Sequence, residues 1–421
     1  MPKKYGVGKV TFEIDFMEIF NIDLINDIYR NNQIINYMFS RKQIGFVASI
    51  VVMIVVYAAS SAPIPLYSNY QSILAITKAS LSLTAVTYFL GTVISLLFFG
   101  RLSNYIGRRK TIIITIITSI AGCLSFIFIN SFEIFLVARL IQGLSCGLAS
   151  SCVAAYMVDT TPNDSSTLSA IATSGCTMIG LTLGSFTSAL LMGFNLTAIF
   201  LLIIILLVAS AVLIICGEET VQTHPGAFSS IRPYIEFPSQ IRYLLIPASA
   251  IFIGTWAVGG FYQAFSSTIA LDQFGVKNAV LAAAIFSSLM APQIFGNTLI
   301  KYITKVRAQK IGMVLFSISM ILIVLSFQYK LVILFLILSI LAAIFIGISF
   351  ASTMEIILSK IKPDERAGVL STIYLISYGG PAIINLVVGQ IGNAFTLIQI
   401  TIGYTIFVIF TTVITLMFAK D

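Results

Sequence analysis

Twelve long apolar stretches, separated by short polar gaps, run through almost the whole of this chain. A run of about twenty such residues is the length of α-helix that crosses a hydrocarbon core about 30 Å thick. The spans read as 44–66, 83–99, 111–129, 133–158, 167–191, 196–216, 244–269, 279–300, 311–327, 331–358, 367–391 and 394–418. Water is not the main solvent of such a chain: 58% of residues are hydrophobic and 10% charged, and the mean hydropathy is +1.01. A soluble domain is roughly half apolar and a quarter charged. The 421 residues therefore read as an all-α membrane protein, with no room for a large separate soluble domain.

The cysteines (Cys123, Cys146, Cys152, Cys176 and Cys216) all lie within apolar runs, where they act as small hydrophobes and form no metal or disulfide framework. The net charge of +8 forms no basic stripe of the kind that binds nucleic acid. It follows topology instead. An even number of spans puts both termini on one side, and all Lys and Arg except Lys78, Lys277, Lys330 and Arg139 fall on that side. Because cationic loops stay in the cytoplasm, both termini are expected to be cytoplasmic in a multi-pass protein of the cell membrane.

Residues 1–42 form a mixed-charge cytoplasmic tail; Phe12, Phe16, Ile19 and Phe20 would let it lie on the membrane, but its acids oppose tight binding to anionic lipid. Ala58-Ala59-Ser60-Ser61-Ala62 imitates a leader cleavage site, yet the acid-rich stretch before it is wrong for one, so the run reads as a retained helix. The longest internal polar stretch, 217–243, separates spans 43–216 from 244–421, six on each side. The halves echo each other: Arg101–Lys110 matches Lys301–Lys310, and Pro162-Asn163-Asp164 matches Pro363-Asp364-Glu365. A repeat spacing of roughly 200 residues is the pattern of secondary transporters, whose site lies between the repeats near mid-membrane.

The most specific motif is Gly100-Arg101-Leu102-Ser103-Asn104-Tyr105-Ile106-Gly107-Arg108-Arg109-Lys110. It resembles the G-x-L-x-D-R-x-G-R-R-K signature of the Major Facilitator Superfamily, with Asn104 and Tyr105 replacing the usual Asp and Arg. The resemblance implies twelve transmembrane helices in two pseudo-symmetric six-helix bundles that rock about a central site. It also implies a gating latch built from Gly100, Asn104, Gly107, Arg108 and Arg109, with Arg108 paired to Asp159 at the end of span four. Asn104 would cap a helix N-terminus without the charge that an aspartate brings.

Arg139-Leu-Ile-Gln142-Gly143 is similar to the family's R-x-x-Q-G motif. An arginine at hydrocarbon depth is costly and normally faces a wet cavity or a partner, and Gln142 lies one turn along on the same face. Gly180-Leu-Thr-Leu-Gly184-Ser185 looks like a weakened antiporter signature; small residues at Gly180 and Gly184 equally allow close helix packing. Pro63 and Pro65 in span one, and Gly259-Gly260 in span seven, suggest broken helices at matching positions, as in drug-efflux-like bacterial members of the superfamily. Tyr67, Asn69, Trp256, Tyr262, Gln263 and Asn385 become candidate cavity residues, and Tyr378-Gly379-Gly380-Pro381 suggests a kink.

Proton coupling needs a carboxylate whose affinity for a proton is raised by burial. Few acids lie in the spans; Glu355 in span ten is the candidate, and it equally reads as a gate partner of the Lys301–Lys310 loop. The leading reading is a monomeric exporter of a small organic compound by proton antiport, without cofactor or metal. Uptake of a metabolite, or export of a native one such as a metal chelator, keeps the fold. A membrane sensor without flux is the rival from another class. An enzyme lacks its usual parts: His224 is the single histidine, and HExxH, G-x-S-x-G and P-loop motifs are missing.

Overall fold

The computed structural model describes residues 40–77, 79–162, 166–193, 195–231, 233, 235, 237–300, 303–362 and 365–420. The tail 1–39, together with Lys78, Asn163, Asp164, Lys301, Pro363 and Asp364, lies outside the described residues. Every regular element among them is helical. We number the spans α1 Arg41–Leu74, α2 Ala79–Phe99, α3 Arg108–Ile127, α4 Phe132–Thr160, α5 Ser166–Leu191, α6 Leu196–Cys216, α7 Ser239–Gln273, α8 Ala279–Phe295, α9 Lys305–Gln328, α10 Val332–Ser359, α11 Gly368–Ala394 and α12 Leu397–Phe418.

Polar residues in the gaps start the helices. Ser40 and Thr396 form capping boxes with Gln43 and Gln399 on α1 and α12. Ser131, Asn195 and Asn278 accept a first-turn amide of α4, α6 and α8. Each such cap satisfies a backbone donor that the helix leaves open.

The prolines and glycines do less breaking than expected. At Pro63 and Pro65 α1 tightens into a 3-10 turn, Ile64–Leu66, then continues as Tyr67–Leu74. Gly259 and Gly260 leave α7 unbroken; Gly260 is small because the Asn385 amide and the Phe89 ring pack against it. The interrupted span is α8, where Pro292 sits in a 3-10 turn, Ala291–Phe295, ahead of a short helix Gly296–Leu299. Proline lacks the N–H that the ladder requires there. α11 carries the expected irregularity as a π turn, Leu375–Gly379, just before Gly380 and Pro381. α7 also runs further than expected, so Asp272 belongs to its last turn.

The packing repeats. Within the first half α1 meets α4, α5 and α6, α4 meets α2 and α3, and α3 meets α6. Adding six to each number gives the pairs of the second half: α7 with α10, α11 and α12, α10 with α8 and α9, and α9 with α12. The halves join through α2 with α11, α5 with α8, and α1 with α7. Exchanging the halves carries the first two contacts into each other and the third into itself, as a pseudo-twofold axis requires. The fold is thus two pseudo-symmetric bundles. Peripheral helices present apolar side chains outward, such as Ile205 on α6 and Phe410 on α12, where lipid tails are the natural solvent.

Candidate functional site

The start of α1 and the loops that follow the even-numbered spans share one end of the molecule, called here the basic face. At the opposite end the bundles are tied together. The Ser68 N–H donates to Ser267 Oγ at 2.9 Å, and the Ala79 N–H donates to Asn393 Oδ1 at 3.4 Å. Ala189 of α5 packs with Ala279 and Ala283 of α8.

At mid-depth the bundles share a partly open chamber. The first bundle lines it with Tyr57, Ser60, Tyr88, Phe89 and Thr177; the second with Trp256, Gln263, Met290, Gln293 and Tyr378. Phe89 reaches across the interface, with ring centroids 5.8 Å from Tyr378 and 6.5 Å from Trp256; those two rings are 4.7 Å apart. Polar groups are few and mostly held. Tyr57 shares a 2.5 Å hydrogen bond with Ser150, and Gln293 Nε2 donates to Leu289 O at 2.8 Å. The chamber is an apolar, aromatic box with sparse polar points, the usual chemistry of small-molecule sites.

Only two of the cavity residues expected from sequence, Trp256 and Gln263, line this chamber. Asn69 lies in a smaller cleft between the bundles toward the opposite end, with Ser68 and Ser267. Tyr67 and Tyr262 point into their own bundles. Tyr67 packs edge-on against Phe135, and Tyr262 shares a 2.6 Å hydrogen bond with Ser339. Asn385 is buried, donating to Pro381 O at 2.8 Å and accepting from Tyr404 at 3.0 Å. Arg139 and Gln142 sit one layer behind the wall: Arg139 Nη1 donates to Ser60 O at 2.7 Å and to Gln142 Oε1 at 2.6 Å, and Gln142 Nε2 donates to Ala59 O at 2.7 Å. The periodicity of an apolar run does not tell which ring faces a neighbour and which faces a chamber. Tyr88, Phe89 and Tyr378 escaped sequence reasoning for that reason.

The residues expected to form the gate meet at the basic face. Arg108 Nε donates to Asp159 Oδ2 at 2.9 Å, and Arg108 Nη1 donates to Asn104 Oδ1 at 2.7 Å. Among the described residues Asn104 therefore accepts from the arginine and from no helix N-terminal amide. Gly107 turns the chain at φ +97°, where a side chain would be strained and its Cβ would strike the Glu219 carboxylate. Glu219 was not anticipated. Its two oxygens accept the Arg108 and Arg109 N–H groups at 2.8 and 3.0 Å, capping α3 from the 217–243 segment. Arg109 in turn donates to Ile214 O at 3.1 Å and to Ile215 O, closing the end of α6. An acidic pair directly after an apolar span, Glu218-Glu219, was the available signal. On the same face Lys305 and Glu355 form an ion pair with both side chains more than 40% exposed, and neither lines the chamber. Gly180 and Gly184 lie against α1 so closely that a Cβ on either would collide with backbone at Ile54 or Ala58.

Comparisons with known proteins agree with this architecture. A crystal structure of the human organic anion transporter MFSD10 (TETRAN) superposes with a TM-score of 0.63, covering 89% of this chain and 99% of that one at 15% identity, which speaks for the fold alone. Hexose transporter 1 of Toxoplasma gondii is 35% identical over 83 residues, 20% of this chain; the chain spans only 14% of that relative's length. The family model of the Major Facilitator Superfamily matches residues 49–384. A multi-pass chain with two related bundles around a central chamber, matched over most of its length by that model, belongs to the Major Facilitator Superfamily, a family of transporters.

Proposed function

We propose that this chain carries a small, largely apolar organic solute across the cell membrane by alternating access. Residues 43–216 and 244–421 rock as two bodies, 217–243 connects them, and both termini face the cytoplasm. One observation carries the reading: the chamber at mid-depth takes its wall from both bundles, with Phe89 of one against Trp256 and Tyr378 of the other. A site divided in this way changes its exposure whenever the bundles move. One chain supplies the whole chamber, which supports a monomer as the working unit.

Export in exchange for protons is the direction supported by the resemblance of the α5 glycine pattern to antiporters. A second reading, uniport, is favoured by a specific observation. No carboxylate lines the chamber among the described residues, and Glu355 is exposed in an ion pair at the basic face. Reconstituted vesicles separate the two. Under an imposed pH gradient, antiport accumulates solute above its outside concentration and dissipates the gradient; uniport only equilibrates the solute. Hexoses belong in the panel beside aromatic and aliphatic organic compounds. Absence of flux for every compound, with correctly inserted protein, would leave a sensor as the better reading.

A further inference from the structure

Arg139 is the largest of the completely buried side chains, and its guanidinium is only half used. Nη1 is held by Ser60 O and Gln142 Oε1. Nε and Nη2 have no hydrogen-bond partner among the described residues. Those two N–H groups form the edge with which an arginine meets a carboxylate side-on, through two parallel hydrogen bonds. The groups recorded against Arg139 are neutral: the Ser60 and Gln142 oxygens and the face of the Tyr88 ring, 4.8 Å from the guanidinium carbon, with Tyr67 and Cys146 nearby. The acids of the described spans, Glu133, Asp159, Asp272 and Glu355, stand at or near helix ends. A buried cation without a counter-charge is strongly disfavoured, and a ring face offsets only part of the cost. Ser60 and Tyr88 both touch Arg139 and both line the chamber, so these two residues lie between the guanidinium and the solute space.

We propose that Arg139 is the anion-accepting subsite of the chamber and that the transported solute is an organic monoanion with an aromatic or apolar body. Its carboxylate takes the Nε and Nη2 edge once the Tyr88 side chain swings aside, while its body lies against Phe89, Trp256 and Tyr378. The solute then supplies the missing negative charge, and the empty carrier pays for an unpaired cation that the loaded carrier does not have. This deepens the transport reading above and rests on it.

Trp256 is the single tryptophan and lines the chamber, so its fluorescence reports occupancy without a label. The full chain in detergent micelles is titrated with benzoate and with benzamide, and then with other aromatic monocarboxylates beside their primary amides. The expected result is that the carboxylates bind roughly tenfold or more tighter than their amides. Arg139→Gln abolishes that ratio and leaves amide affinity in place, and Arg139→Lys, which keeps the charge without the flat edge, retains a reduced ratio. The wild-type comparison stands even where a variant does not fold. Equal affinity of acid and amide overturns the anion subsite while leaving the chamber intact. If no compound of either kind moves the Trp256 signal, the chamber reading fails and takes this proposal with it.

Discussion

Phe89→Ala removes the ring through which the first bundle touches the aromatic pair of the second. Phe89 is 2% exposed, so little of the residue is open to solvent even though it forms part of the chamber wall. Its centroid lies 5.8 Å from Tyr378 and 6.5 Å from Trp256, within the range where aromatic pairs attract. Each pair contributes about 0.5–1.5 kcal/mol beyond simple burial, so the two together hold the bundles with roughly 1–3 kcal/mol. An equilibrium between this arrangement and one with the rings apart then shifts by about 5- to 150-fold. Trp256, with no other tryptophan in the chain, reads the shift directly. In detergent, Phe89→Ala should move the emission to longer wavelength and raise the acrylamide quenching constant roughly twofold or more, with Phe89→Leu in between. A variant that keeps its helical circular dichroism, yet shows the emission and quenching of the wild type, would refute the claim that these rings hold the interface.

Gly184→Ala drives a methyl group into the α1 backbone at Ala58 and should cost about 1–3 kcal/mol, seen as a lower thermal midpoint. Gly193→Ala, with nothing within 4 Å, is the control that should not move. Glu219→Gln removes the negative charge from the start of α3 and should destabilise by about 0.3–1 kcal/mol at low salt, with the difference shrinking at high salt. A loss independent of salt would point to packing instead. Gly107→Ala forces φ +97° on a residue with a Cβ, costing about 1–3 kcal/mol; an unchanged unfolding midpoint would show that the turn relaxes freely. Glu355→Gln leaves the chamber untouched, so the pH dependence of transport in vesicles should stay as in the wild type. Loss of proton coupling in that variant would make Glu355 the carrier after all.

The length and number of the apolar runs determined that the chain is an all-helical membrane protein. Those properties act locally: a helix spans because twenty successive residues are apolar, whatever its neighbours are. That Arg139 and Gln142 meet was legible for a similar reason, since three residues along a helix put them on one face, but that they lie behind the chamber wall was not. The cross-chain contacts were not legible. Whether Tyr67 or Tyr88 faces the chamber depends on how α1, α2 and α4 rotate against one another, and both residues sit in equally apolar surroundings in sequence. Glu219 caps α3 from more than 100 residues away, and α8 rather than α7 is the helix that breaks. In a bilayer the hydrophobic pattern says which segments leave water but little about which face meets protein, lipid or solute, because all three are apolar. Only the packing of the two bundles decided where the chamber lies and which rings line it.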